Sequence, residues 1–175
     1  MPEVLDIVDA HDAVIGQAEM GEIYRRKLPH RVVHVLVLHP EYPAVYLQRR
    51  AETKSYLPGY WCTSAGGHVR SGESYPAAAA RELREELGLA VPLSAPYAFP
   101  YLADDHLRFI QLFVAYAGTG FYFVDGEVAH GEFFGLESAR TLVEGGRLVH
   151  PQLQPCFSWL YANQSRLFTA GKWLY

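Results

Sequence analysis

Hydrophobic spacing changes character several times along the chain. "EVLDIVD" alternates apolar and polar positions with a period of two, "AHD" offers turn residues, and "AVIGQA" returns, so an N-terminal β-hairpin is predicted over about residues 3–18. "RVVHVLVLHP" and "PAVYLQRR" are β-branched, apolar runs on either side of "PEYP" and read as a central hairpin. A short strand is expected at Cys62 to Ala65, then a glycine loop, then a helix from about Tyr75 to Leu87. Ser74 can cap that helix, Pro76 is tolerated in its first turn, and Gly88 supplies the left-handed residue that ends many helices. Ala80, Leu83 and Leu87 would bury against the sheet, and Ala78 and Ala79 would leave room beside them for a bulky anion. "YAFPYLA" and "HLRFIQLFVAYAG" read as two more strands, and "PQLQPCFSWLYANQSRLF" as one closing amphipathic helix over about residues 152–168. Strands and helices mixed in this way favour a layered α/β sandwich. With no internal repeat, low-complexity tract or long linker, a single domain over residues 1–175 is expected.

Composition agrees with one full-sized core: 50% of the 175 residues are hydrophobic and 14% aromatic. A net charge of -4 and a pI near 6.0 argue against a protein that coats nucleic acid. Cys62 and Cys156 are too few for a disulfide framework or a multi-cysteine zinc site, and both are expected as thiols. The N-terminal "MPEVLDIVDAHD" is acidic, and no run approaches the ~20 apolar residues of a membrane span, so a cytoplasmic location is expected.

One stretch stands out. In "RELREEL", Glu82, Glu85 and Glu86 fall within roughly 100° of a helix circumference, and each like-charge pair there costs a few tenths of a kcal/mol. Such a run is often a solvated face, here partly offset by Arg81 and Arg84. A divalent cation would reverse the sign of the interaction.

The flanking residues favour the cation. Gly67, Glu73 and then "RELREELGL" up to Leu89 fill every fixed position of the Nudix box, a match whose chance occurrence is roughly one in ten million per chain. The chain therefore resembles the Nudix hydrolases. The resemblance implies an α/β/α sandwich with a mixed β-sheet and Mg²⁺-dependent hydrolysis of a diphosphate linkage in a small molecule, with Mn²⁺ able to substitute. It assigns Glu82, Glu85, Glu86 and the Gly67 carbonyl to metal binding, and Glu73 and Arg81 to holding the loop against the helix. The general base stays open between Glu82 and the later acids Glu127 and Glu132 of "DGEVAHGEFFGLE", which otherwise read as solvated loop residues. Many family members are homodimers, an assembly the resemblance leaves open here.

The likeness extends upstream. "YLQRRAETKSYLPGYWCTSAGGHVRSGES" resembles the isopentenyl-diphosphate-isomerase-like branch, which implies diphosphate contacts from Arg50 and Lys54. An isomerase is thus a rival reading. The branch's catalytic Cys would stand where this chain has Gly66, however, and Cys62 lies four positions too early. Of the isomerase's three His and two Glu, only His68 and His30 have counterparts, and Arg108 falls near one of the missing Glu positions. A third reading, a non-catalytic ligand-binding module, would have no chemical need for the complete carboxylate set. His30, His34 and His39 are closely spaced, but odd spacing puts His34 and His39 on opposite strand faces, and ordinary polar roles are expected. Tyr97, Phe99, Tyr101, Phe109 and Phe113 are expected mainly in the core, with one of them a candidate for substrate contact.

Overall fold

The computed structural model describes residues 2–123 and 126–169. β1 (Val4–Val8) and β2 (Val14–Glu19) form the N-terminal antiparallel hairpin. Its turn is closed by the Asp9 carboxylate, which accepts from the backbone N–H groups of His11 and Ala13 at 2.8 and 3.0 Å. A helix that the hydrophobic pattern did not announce, α1 (Met20–Arg26), follows and ends at left-handed Lys27.

β3 (His30–Leu38) is the spine of the second sheet. It runs parallel to β8 (His106–Tyr116) from His30↔Arg108 to Leu38↔Tyr116. On its other edge it pairs antiparallel with β6 (Ala65–His68) and, at Val37↔Tyr46 and Leu38↔Val45, with β4 (Ala44–Arg50). β7 (Ser94–Ala103) completes one edge beside β8, while β5 (Trp61–Cys62) and β9 (Val128–Gly135) both pair with β4. The sheet is therefore mixed. A parallel β3–β8 pair requires a crossover, and the segment that makes it carries α2 (Tyr75–Leu87).

Alternation along β3 sends Val33, Val35 and Val37 to one face, where they pack with Ala78, Ala79, Leu83 and Leu87 of α2. Leu36 and Leu38 point to the other face and pack with Leu47, Leu112 and residues of α3 (Leu136–Gly145) and α4 (Leu153–Ala162). The result is the expected α/β/α sandwich. Burying each of the α2 leucines contributes roughly 1.5–3 kcal/mol relative to exposure, enough to outweigh the repulsion on the same helix. Ser74 Oγ accepts the Ala77 N–H at 3.4 Å, and Gly88 (φ 67°) ends the helix with its N–H on the Arg84 carbonyl.

Four local expectations are corrected. The strand expected over Cys62 to Ala65 is two, because the chain steps from β4 to β3 at Thr63 and Ser64. Ser64 Oγ secures the step by accepting the Val37 N–H at 2.7 Å and donating to the Tyr46 carbonyl. Ala78 and Ala79 are fully buried in the core and leave no anion-sized space. The single closing helix is α4 and α5 (Gln164–Thr169), divided at Asn163, whose side chain donates to the Trp159 carbonyl at 2.8 Å in competition with the backbone. The acids of "DGEVAHGEFFGLE" are not all in a loop, since Glu132 lies in β9. Gly131 hides the strand pattern there: a Cβ would press on the Tyr46 ring, with Cε1 at 2.6 Å, so glycine allows the close approach.

Candidate functional site

α2 presents its carboxylates unequally. Glu82 and Glu86 are buried, whereas the Glu85 side chain is 41% exposed. Arg81 gathers the first of them: Nη1 donates to Glu82 at 2.6 Å and to Glu85 at 3.1 Å, while Nε and Nη2 grip Glu73 at 3.0 and 2.9 Å. Nη2 also donates to the His68 carbonyl at 2.9 Å, and Glu73 accepts the Arg70 N–H at 3.1 Å. Glu73 and Arg81 are thus bonded between loop and helix, and the same guanidinium partly neutralises the acidic face.

Glu86 has no cationic partner among the described residues. Its Oε2 accepts from Gln48 Nε2 at 2.7 Å and from the Gly66 N–H at 3.1 Å. Burial, reinforced by the charges of Glu82 and Glu127, pushes its carboxyl up to about 8. Burial also raises Glu82, against the opposing pull of Arg81. Gly67 lies hard against Glu82, where any Cβ would collide with the carboxylate.

Among the described residues no three His, Cys, Asp or Glu side chains already converge around a point that could hold a metal. The donor chemistry nevertheless fits a hard divalent cation. Two buried carboxylates and a glycine backbone are oxygen donors packed together, one of them held only by neutral hydrogen-bond donors. Gln48 was missed in the sequence; its parity with Tyr46, which faces α2, is the signal that could have found it.

Beside the carboxylates, Arg50 donates from Nε and Nη2 to the Tyr56 carbonyl at 3.2 and 3.0 Å. Lys54 is ion-paired with Glu127, which joins a basic and an acidic candidate to each other. Glu132 is brought elsewhere. Its partner across the sheet is Leu47, whose side chain belongs to the core under α3 and α4, so Glu132 points away from α2 and contacts His130 at 3.3 Å.

The closely spaced histidines do not meet. His34 is fully engaged by Thr63 Oγ1 at 2.7 Å and Gln152 Oε1 at 2.8 Å, and His39 stacks on Tyr42. His30 instead joins His68 and His106, with ring centroids 5.5 and 4.8 Å away, under the Tyr24 ring. These residues come from α1, β3, β6 and β8, a convergence that no local spacing could reveal. Burial lowers His30 to about 3, which keeps it neutral. Among the strand aromatics, Phe113 is core and Tyr97 stacks on Phe99 and Trp159. Phe109 lines a shallow cavity of about 230 Å³ with Asp12, Tyr75 and Gln111, bordered by β7 and β8.

A family model described as NUDIX domain matches residues 28–153. Among curated proteins, an uncharacterized Nudix hydrolase, SCO1686, of Streptomyces coelicolor is 45% identical over 103 residues, covering 59% of this chain and 56% of the relative. Isopentenyl-diphosphate Delta-isomerase 2 of Photorhabdus laumondii is 40% identical over 103 residues, covering 59% of this chain and 58% of the relative. The matched region thus spans less than two thirds of these relatives. Among solved structures, DR0079 of Deinococcus radiodurans superposes with a TM-score of 0.80 at 26% identity, covering 91% of this chain and 99% of that one. A MutT protein of Methanosarcina mazei superposes with a TM-score of 0.65 at 20% identity, covering 78% and 95%, a likeness of fold.

Proposed function

The chain belongs to the Nudix family, and from that membership we propose that it is a Mg²⁺-dependent hydrolase of diphosphate linkages in nucleoside di- or triphosphates or related X-linked diphosphates. The observation that carries this reading is Glu86: a buried carboxyl beside Glu82, held by two neutral donors and lacking a cation of its own among the described residues. Glu82, Glu85, Glu86 and the Gly67 carbonyl would hold the metal. When bound, a divalent cation of this kind neutralises phosphate charge and favours water attack on phosphorus.

The chain's own groups supply orientation. Gln48 and the Gly66 N–H fix one oxygen of Glu86 and leave the other to a metal. Arg81 ties the end of β6, which bears Gly67, and the Glu73 loop after it to α2, so the backbone and carboxylate donors move as one body. Arg50 and Lys54 are the diphosphate-binding side chains. Lys54 starts from its pair with Glu127, and a phosphate that draws the ammonium away hands Glu127 the task of accepting a proton from water. Glu127 is the preferred base because it pairs with the diphosphate-binding Lys54, whereas Glu82 is held by Arg81 at 2.6 Å and Glu132 faces the other layer.

Isomerase names among the relatives favour a second reading, as does the meeting of His30, His68 and His106. Gly66 in place of a thiol and the Arg108 guanidinium beside those rings argue against it. Incubation with nucleoside diphosphates, triphosphates, nucleotide sugars, dinucleotides and prenyl diphosphates, with Mg²⁺ or with EDTA, tests the proposal. Mg²⁺-dependent release of phosphate or a monophosphate supports hydrolysis, and absence of product from every member rejects it.

A further inference from the structure

The Arg108 guanidinium is half-buried, and no carboxylate lies within ion-pair distance of it among the described residues. Its Nη2 meets His106 Nδ1 at 3.3 Å and Nη1 the His106 carbonyl at 3.4 Å, both long, and the guanidinium also lies against the Tyr24 side chain. The Leu28 carbonyl explains this arrangement. It accepts from His106 Nε2 at 2.9 Å and from His30 Nδ1 at 3.1 Å, which leaves His106 Nδ1 as the acceptor for Arg108 and His30 Nε2 as a bare acceptor. That nitrogen is buried with no hydrogen-bond partner among the described residues. A second chain of contacts fixes the roof: His68 Nδ1 faces Glu3 at 3.3 Å, and its Nε2 meets the Tyr24 hydroxyl at 2.8 Å. Arg108 lies 5.8 Å from the Tyr24 ring centroid.

The cluster therefore holds a guanidinium with no carboxylate in ion-pair distance among the described residues, next to an unused acceptor. Partly burying a charge is unfavourable unless something answers it. The answer would be an anion for the guanidinium with a hydroxyl for His30 Nε2. The cluster is also joined to the carboxylate site, since the His68 carbonyl is held by Arg81 while its ring sits in the cluster. Yet Arg108 belongs to β8, and β3 separates it from β6, which bears Gly67; two strand spacings, with a three-residue offset along β3 between His30 opposite Arg108 and Val33 opposite Gly67, place the two points about 14 Å apart. That offset is longer than a diphosphate bridges by itself. Resting on the diphosphate-hydrolase reading above, we infer that Arg108, with Tyr24 and His30, forms a subsite for a second phosphate, a monoester next to a hydroxyl on the part of the substrate remote from the cleaved linkage. Arg108 is then the residue that selects for it, as a planar fork of donors suits a phosphate.

Matched pairs that differ by one phosphate monoester test the subsite: NADPH against NADH, and coenzyme A against dephospho-coenzyme A. Binding is measured by equilibrium dialysis in EDTA, and kcat/KM with Mg²⁺, for the parent, Arg108→Gln and Arg108→Lys. The parent should prefer the phosphorylated member of at least one pair by about tenfold or more, the worth of one charge-assisted bond pair. Arg108→Gln should bring the ratio to within about twofold, chiefly through Kd and KM, and Arg108→Lys should retain an intermediate preference. No preference in the parent by either readout, or a preference unchanged in Arg108→Gln, overturns the inference. A preference in binding without hydrolysis would refute the hydrolase reading and leave the subsite standing. Hydrolysis without preference would do the reverse.

Discussion

Replacing Glu86 by Gln should stabilise the metal-free protein at alkaline pH while it disables the enzyme. Both hydrogen bonds of the Glu86 side chain converge on a single oxygen, so a Gln carbonyl in that place keeps Gln48 and Gly66 satisfied. The loss is one buried negative charge. In the folded protein this carboxyl is pushed up to about 8, against 4.5 when exposed in the unfolded chain, so the folded state holds its proton more tightly than the unfolded chain does. The sign follows directly: as pH rises from about 4.5 to about 8 the parent loses stability through Glu86, and above that window the loss is constant. The full gap corresponds to a ceiling of about 5 kcal/mol, and local relaxation brings the expected effect to about 1–3 kcal/mol. For a chain of this size each kcal/mol shifts Tm by about 2–4 °C. Scanning calorimetry of parent and variant in chelated buffer should show little difference near pH 5 and a variant advantage of several degrees by about pH 9. Added Mg²⁺ should then raise the Tm of the parent more than that of the variant. Turnover should fall about a hundredfold or more. Parallel Tm curves across the pH range, with equal Mg²⁺ shifts, would show that Glu86 is neither strained by burial nor a metal ligand.

Gly67→Ala should lower turnover severely while circular dichroism stays native, because the new methyl group displaces the Glu82 carboxylate and not the core; parental turnover would remove Gly67 from the site. The parent should not convert isopentenyl diphosphate to dimethylallyl diphosphate, as product analysis will show. Gly66→Cys should not install that activity either. Its Cβ would meet His34 Nδ1 and the Val33 carbonyl at 2.7 Å, so the variant should be destabilised by about 1–3 kcal/mol in denaturant melts, and isomer formation by either protein would reopen the isomerase reading.

The parts of this protein that were legible in its sequence are those specified by neighbours in the chain. α2 was readable to the residue because Ser74, Pro76 and Gly88 are local signals and its apolar spacing is helical. The Nudix box was readable because its donors lie within 23 consecutive positions, Gly67 to Leu89. What remained hidden depends on contacts between distant segments. β9 is interrupted by a glycine whose reason is the Tyr46 ring on another strand. Gln48 becomes part of the site only because β4 passes beneath Glu86. The pairing of Lys54 with Glu127 joins two residues that looked like independent candidates. Ala78 and Ala79 looked like space because they are small, but small residues also allow a helix to lie close on a sheet.

The central claim is that the carboxylates of α2 serve water attack on the phosphorus of a diphosphate. Hydrolysis of the first responsive panel substrate in ¹⁸O-labelled water, with Mg²⁺ and in parallel with EDTA, tests this claim most directly. Mass spectrometry should find one ¹⁸O on a phosphate or monophosphate product, in amounts that depend on Mg²⁺ and collapse in Glu86→Gln. Full turnover in EDTA, or ¹⁸O carried only by a non-phosphorus product, would contradict it.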